Sequence, residues 1–183
     1  MNKTTCAFTG HRPGRFPWGY NEDDKDCIAL KEILTSEIIR LTDMGVTQFL
    51  SGMAEGVDRW AAIIVLALRE KNPTLKLHCI LPCKTQADNW NPDSKDIHRS
   101  ILEQADSIIY VSRDYHERCM MERNKFMVNH ADILLAVCRK IPRSGTEATI
   151  NYARKMNREI ITIDPFARKL IHENPSTESI PSC

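Results

Sequence analysis

Three glycine-centred runs and one helical pair in this chain have the residue types and spacing to handle an anionic ligand. The run Phe49-Leu50-Ser51-Gly52-Met53-Ala54-Glu55-Gly56-Val57-Asp58 starts as a short apolar stretch, passes through Ser and Gly, and leads into a helix-like apolar pattern. Written consecutively, these are a strand, a tight turn and a helix N-terminus, where free N–H groups and the helix dipole favour an anion. Gly52 allows close backbone approach and a positive φ. Glu55 and Asp58 share that turn, so the site is not purely cationic; Asp58 could cap the helix or accept hydrogen bonds from ribose hydroxyls or base edges. A second run, Gly10-His11-Arg12-Pro13-Gly14-Arg15, sets two guanidinium forks suited to phosphate or carboxylate beyond a strand end. Arg139-Lys140-Ile141-Pro142-Arg143-Ser144-Gly145-Thr146-Glu147 is the third, and Arg123 and Asn124 project together from a helix nearby in sequence. For any one of these runs, the plain alternative is a solvated turn. No Gly-Lys-Ser/Thr phosphate loop and no Gly-x-Gly-x-x-Gly dinucleotide fingerprint occurs.

The elements that must position these residues alternate. Strands are predicted over Thr4–Thr9, Thr47–Leu50, Leu75–Leu81, Ser107–Val111, Ala131–Cys138 and Glu159–Asp164. Helices are predicted over Lys25–Asp43, with Gly45 as its stop, then from Arg59 toward Asn72-Pro73, and over Ile97–Ala105, Cys119–His130 and Ala148–Met156. Gln86–Lys95 reads as a loop at the strand-end edge. The rhythm defines an α/β fold: a three-layer, Rossmann-like domain with a mainly parallel sheet flanked by helices. It spans residues 1–166, and residues 167–183 read as a polar tail without a role. Right-handed crossovers place all strand-to-helix loops on one edge, so the three glycine runs face a common crevice. Their convergence outweighs the solvated-turn reading of each. Phe16-Pro17-Trp18-Gly19-Tyr20 adds an aromatic loop, with Trp18 or Tyr20 positioned to stack on a flat ligand or to fold onto its own aromatics.

Composition narrows the function classes. The 25 basic and 24 acidic side chains give no global steering toward nucleic acid or anionic membrane, so nucleic acid is set aside as a main partner. The longest apolar run, Ala61–Leu68, falls well short of the roughly 20 residues that span a bilayer, and a membrane partner is not expected. Seven cysteines, scattered without framework spacing, read as reduced core residues of a cytoplasmic protein. His78, Cys79 and Cys83 lack a second ligand pair at zinc spacing, and no metal site is expected.

With the loops placed, the chain resembles the SLOG superfamily, the Rossmann-like domains shared by the DNA-processing protein DprA (Smf) and the LOG cytokinin-activating enzymes. Ser51-Gly52-Met53-Ala54-Glu55-Gly56-Val57-Asp58 is similar to the Ser-Gly-x-Ala-x-Gly-x-Asp loop of DprA. Met121-Glu122-Arg123-Asn124-Lys125, the strand opening at Asp132, and Ser144-Gly145-Thr146 resemble the Glu-Arg-Lys helix, Asp-led strand and phosphate loop of LOG proteins. Over about residues 4–164 the chain is most similar to small, bacterial YpsA-like proteins. The resemblance implies a nucleotide or ADP-ribose-like ligand, with no certain cofactor, and a sensor or regulator linked to cell division or stress. Gly10, His11, Arg12, the Ser51-Gly52-Met53 turn with Gly56, and Ser144, Gly145 and Thr146 would hold phosphate. Glu55 or Asp58 would hold ribose, and Arg123 and Asn124 would complete the anion site. Two alternatives accompany it: a LOG-like phosphoribohydrolase with catalytic candidates Arg123, Glu147, Glu55 and Asp58, and a DprA-like single-stranded DNA or protein-binding module. SLOG domains commonly self-associate, so a homo-oligomer is implied as well. One departure bears on the enzyme alternative. The LOG glutamate lies three positions after the loop Thr, where this chain has Thr149, and Glu147 stands two positions early. At about 100° per residue, two positions is a change of helix face.

Overall fold

The structure, a computed structural model, describes residues 4–139 and 144–175. Its elements run β1 (Thr5–Gly10), α1 (Lys25–Asp43), β2 (Gln48–Ser51), α2 (Val57–Arg69), β3 (Lys76–Leu81), α3 (Pro92–Gln104), β4 (Ser107–Tyr110), α4 (Cys119–Asn129), β5 (Ile133–Val137), α5 (Gly145–Lys155), β6 (Glu159–Asp164) and β7 (Lys169–Glu173). Among the described residues the strands form one sheet in the order β4-β3-β2-β1-β5-β6-β7, parallel except for β7.

Period-two alternation of the strands divides the apolar residues between two cores. Cys6, Phe8, Phe49, Ile133, Leu135 and Val137 face a core completed by α1 and α2, through Leu30, Leu34, Ile38 and Trp60. Ala7, Leu50, Leu134 and Ala136 point the other way, against Met127 and Val128 of α4 and Ile150 and Ala153 of α5. Central parallel strands are buried on both faces, which is why β5 is apolar at every position.

β1 and β5 are neighbours, yet α1 leaves β1 toward one face and α5 leaves β5 toward the other. The chain therefore parts at the carboxyl ends of these two strands, the place where open α/β sheets form a ligand crevice.

Helix α2 stops at Arg69, short of Asn72, and β5 opens at Ile133; three further boundaries differ from the sequence reading for local reasons. Helix α3 begins at Pro92, inside the stretch expected to be loop, because the Asn91 side chain caps the Ser94 amide and Pro92 takes a first-turn position. Helix α5 begins at Gly145, capped by the Ser144 hydroxyl at the Glu147 amide, rather than at Ala148. The expected tail contributes β7. Asp164 accepts hydrogen bonds from the amides of Phe166 and Ala167, Arg168 takes a φ of 53°, and the chain returns antiparallel to β6. An edge strand exposed along most of its length needs no apolar alternation, so the strand left little trace in the sequence.

At the end of β1 the fit against α2 is close. A Cβ on Gly10 would lie 2.5 Å from Cβ of Val57. Gly10→Ala is expected to lower the unfolding free energy by about 1–3 kcal/mol, and Val57→Ala in that background to recover part of the loss. Urea denaturation of the single and double variants checks this; purely additive losses would show that the two positions are not in conflict.

Candidate functional site

The crevice at the β1/β5 parting is a cavity of about 320 Å³. It is lined by Thr9, Gly10, His11, Arg12 and Arg15 from the first loop, Ala54 and Asp58 from the second, Met120, Arg123 and Asn124 from α4, and Ser144, Gly145 and Thr146 at the start of α5. Three guanidinium groups thus face one carboxylate among the described lining residues.

The centre of the site is Arg123. It is 5% exposed, and its Nη1 donates to Asp58 Oδ2 at 3.0 Å. Among the described residues its Nε has no hydrogen-bond partner although it is buried. The guanidinium lies directly over Gly52, where a Cβ would fall 1.1 Å from Nη1. Gly52 is required for the side chain it lacks; positive φ in this loop belongs instead to Met53 (56°) and Gly56 (89°). Burial raises the Asp58 carboxyl above its ordinary value, against the opposing pull of Arg123 and of a hydrogen bond from the Ala54 backbone. The same burial lowers the Arg123 guanidinium, with Arg12 adding like-charge repulsion.

The second loop is held from within. The Ser51 hydroxyl accepts from the Met53 amide (3.1 Å) and donates to the Asp58 carbonyl (2.8 Å), closing the turn. Gln86 Nε2 donates to the Gly52 carbonyl. A Cβ on Gly56 would meet the His11 carbonyl oxygen at 2.7 Å, so the first and second loops pack backbone to backbone there. His11 Nε2 contacts the Arg139 carbonyl at 3.1 Å. A carbonyl only accepts, so Nε2 carries the hydrogen; burial also depresses the ring's pKa, leaving it neutral near pH 7.

Of the residues singled out in the sequence, Gly10, His11, Arg12, Asp58, Arg123, Asn124, Ser144, Gly145 and Thr146 meet around this one cavity. Others lie elsewhere. Ser51 and Met53 are fully buried, the first as the loop staple and the second as a core side chain. Gly52 backs Arg123, and Gly56 contacts the first loop. Glu55 turns toward α3, accepting from Ser94 Oγ at 2.7 Å and from the Tyr20 hydroxyl at 3.5 Å. Glu147 faces a separate pocket with Cys138, Arg154 and Glu173. Trp18 stacks on Phe16 at 4.8 Å, and Phe16 in turn meets Trp60; Tyr20 is 62% exposed and off the cavity wall. Lys140, Ile141, Pro142 and Arg143 of the third loop lie outside the described residues. Arg15, read in the sequence only as part of its loop, lines the cavity as well, and sequence reasoning missed Thr9, Ala54 and Met120 as lining. Arg15 was visible as the second guanidinium of its loop, whereas Met120 carried only a core signal.

Thr149, at the position of the LOG glutamate, is buried; its hydroxyl accepts from Asn124 Nδ2 (2.8 Å) and donates to the Gly145 carbonyl (2.8 Å). Asn124 thereby ties α4 to the first turn of α5. His78, the centre of the rejected metal reading, has Nδ1 against Ser107 Oγ and Nε2 against Gln48 Oε1, both at 2.7 Å.

A Rossmann-like α/β domain with its crevice at the strand switch point is the class that this fold and site define. The family model for YpsA, described as the YspA SLOG family, matches residues 6–167, and the chain belongs to that family. YpsA of Bacillus subtilis is 30% identical over 132 residues, covering 70% of this chain and 72% of that protein. The SPbeta prophage-derived protein YoqJ of Bacillus subtilis is 29% identical, covering 72% of this chain and 80% of its own length. A UPF0398 protein of Brevibacillus brevis is 30% identical, with 64% of each chain covered. Among solved structures, DNA processing protein A from Helicobacter pylori, described for its single-stranded DNA binding mode, has a TM-score of 0.58 at 17% identity, covering 89% of this chain and 66% of that one. The matches thus span less than two thirds of the Brevibacillus and Helicobacter proteins. The last likeness concerns the fold alone, and the reading that sets nucleic acid aside gains no support from it. Among the described residues no helix is long and apolar enough to cross a membrane.

Two consequences of the buried pair can be measured. Gly52→Ala forces Arg123 off Asp58 and leaves a buried carboxylate without its cation, an expected loss of about 3–5 kcal/mol in urea denaturation; unchanged stability would mean that the guanidinium does not need the bare glycine. The Asp58 carboxyl holds its proton more tightly folded than unfolded. Its contribution to stability is therefore greatest below the ordinary carboxylate pKa of 3.8 and declines as pH rises from there through the raised folded value. Asp58→Asn should remove that decline from the stability–pH curve, and parallel curves for the two proteins would refute the assignment.

Proposed function

We propose that the chain binds a nucleotide or nucleotide-derived small molecule in the β1/β5 crevice and acts as a sensor or regulator. The observation that carries this reading is Arg123, buried in the cavity wall with an Nε unpartnered among the described residues. Arg12 and Arg15 stand on the opposite loop, and the N-terminus of α5 opens beside it. The Ser144 hydroxyl caps the Glu147 amide, and the first-turn amides of α5 at Gly145 and Thr146, both lining the cavity, are the kind of donors that a ligand anion takes.

The phosphoribohydrolase alternative has less behind it. Glu55 and Glu147 face away from the cavity, Thr149 and Asn124 satisfy one another where a catalytic carboxylate would stand, and Asp58 is engaged by Arg123.

A thermal-shift series with nucleoside mono-, di- and triphosphates, NAD and ADP-ribose tests the proposal, with chromatography of the mixtures afterwards. A ligand at about 100 times its Kd adds about 2.7 kcal/mol of stability. The expected result is a shift with the ligand recovered intact, and its loss in Arg12→Ala, whose side chain is exposed and whose removal should leave the fold alone. Released base would make the protein an enzyme, and no shift with any of these ligands would overturn the proposal.

A further inference from the structure

We infer that two copies of this chain join edge to edge, β4 against β4, about a two-fold axis that passes through Ile109. Strand β4 ends the sheet, and among the described residues it pairs with β3 alone. In the chain, residues 1–3 precede β1, 140–143 stand between β5 and α5, and 176–183 follow β7, so none adjoins β4 in sequence. An edge strand offers a row of backbone N–H and C=O groups that another strand can take, and proteins blunt such edges with charge or proline. The opposite edge is blunted in this way: β7 carries Lys169, His172 and Glu173, and Arg154 holds Glu173. The run Ser107-Ile108-Ile109-Tyr110-Val111 carries neither charge nor proline. Ile108, Ile109 and Tyr110 are exposed by 40%, 38% and 43% in succession. Lys84 lies over the Tyr110 ring but puts no charge on the strand itself.

The exposure falls on both faces of the sheet. Ile108 and Tyr110 extend the row of Cys79 and Leu81 on one face, and Ile109 extends that of Ile80 on the other. A helix laid on one face would leave the other open, whereas a strand added in the plane of the sheet covers both. What marks the occupant as a second copy is the complementarity of the run to itself. Antiparallel pairing about Ile109 is the two-fold register that matches its uncharged residues among themselves. Ile109 then meets the partner's Ile109, and Ser107 meets the partner's Val111. Ile108 meets the partner's Tyr110, a β-branched and aromatic pair of the kind that stabilises sheets. Asp106, held in its own chain by Arg69 and Lys76, comes opposite the partner's Ser112 and diagonal to the partner's Arg113, so no charge along the run meets its like. Such an interface uses one patch twice and closes at the dimer.

Sedimentation velocity of the full chain across a concentration series tests this. The unaltered chain is expected to pass from monomer to dimer as concentration rises, with nothing larger. Ile109→Lys sets two ammonium groups opposite one another on the axis and is expected to weaken the dimer by about tenfold or more. Ile108→Lys should do the same. Ile108→Lys combined with Tyr110→Glu should tighten it again by about tenfold, because each new ammonium then faces a new carboxylate across the interface. That rescue separates lost pairing from lost folding. Ile171→Lys on β7, where the side chain is 53% exposed, should leave the dimer as it is. A chain that stays monomeric throughout, the outcome if β4 takes a strand of another protein instead, overturns the inference. So does a dimer that survives both single substitutions on β4, or one that Ile171→Lys breaks in their place.

Discussion

The Arg123–Asp58 pair sets the terms for the rest of the site. Two charges are taken almost wholly out of water, one from the middle of α4 and one from the first turn of α2, and they meet across the carboxyl end of β2. Desolvation of such a pair is offset only when the geometry is close and further hydrogen bonds are made. Here the carboxylate has a second donor in the Ala54 backbone, whereas the guanidinium keeps a buried N–H without a partner among the described residues. A stability argument alone does not account for that arrangement. On the proposed reading, a ligand anion in the cavity would complete it.

Everything around the pair follows from the space that it needs. Gly52 is bare because the guanidinium occupies the position of a side chain. With the chain held against Arg123, the turn back into α2 is made at Met53, a buried non-glycine residue at positive φ, and at Gly56, pressed against the His11 carbonyl. The left-handed conformation of Met53 is unfavourable in isolation by about 1–3 kcal/mol and persists only when its surroundings over-determine it. Ser51, Gln86 and the core packing of Met53 supply that constraint. A second network, running from Glu55 through Ser94 and Arg59 to Glu22 and Trp60, braces the outer side of the same loop against α3 and the aromatic loop. Glu55 therefore serves the loop's shape rather than the cavity's chemistry.

Membership of the YpsA SLOG family and the likeness to a DprA fold agree with a crevice at the strand switch point. This chain's version departs from the LOG pattern at Thr149. A threonine there is small enough to bond back to the Gly145 carbonyl while receiving Asn124, so α4 and α5 are locked together where a carboxylate would have entered the site. Among the described residues the resulting wall carries three arginines and one carboxylate, Asp58.

The alternation of strand and helix, the doubly buried β5 and the convergence of glycine loops on one edge were legible in the sequence. They rest on local periodicity and on the handedness of crossovers, which no distant contact can reverse. That Arg12, Asp58 and Gly145 would stand at this edge was legible for the same reason: each lies at a strand end or helix start whose position the pattern fixes. Tertiary structure alone decided which way side chains within those turns point. Glu55 and Asp58 are three residues apart in one loop, yet one braces α3 and the other enters the cavity. That choice depends on Arg123 and Ser94, 65 and 39 residues away along the chain. The same holds for Gly52, whose need is steric and is set by a guanidinium from another helix, and for β7, whose pairing is written in the turn at Asp164 and the open edge of β6 rather than in any apolar pattern of its own.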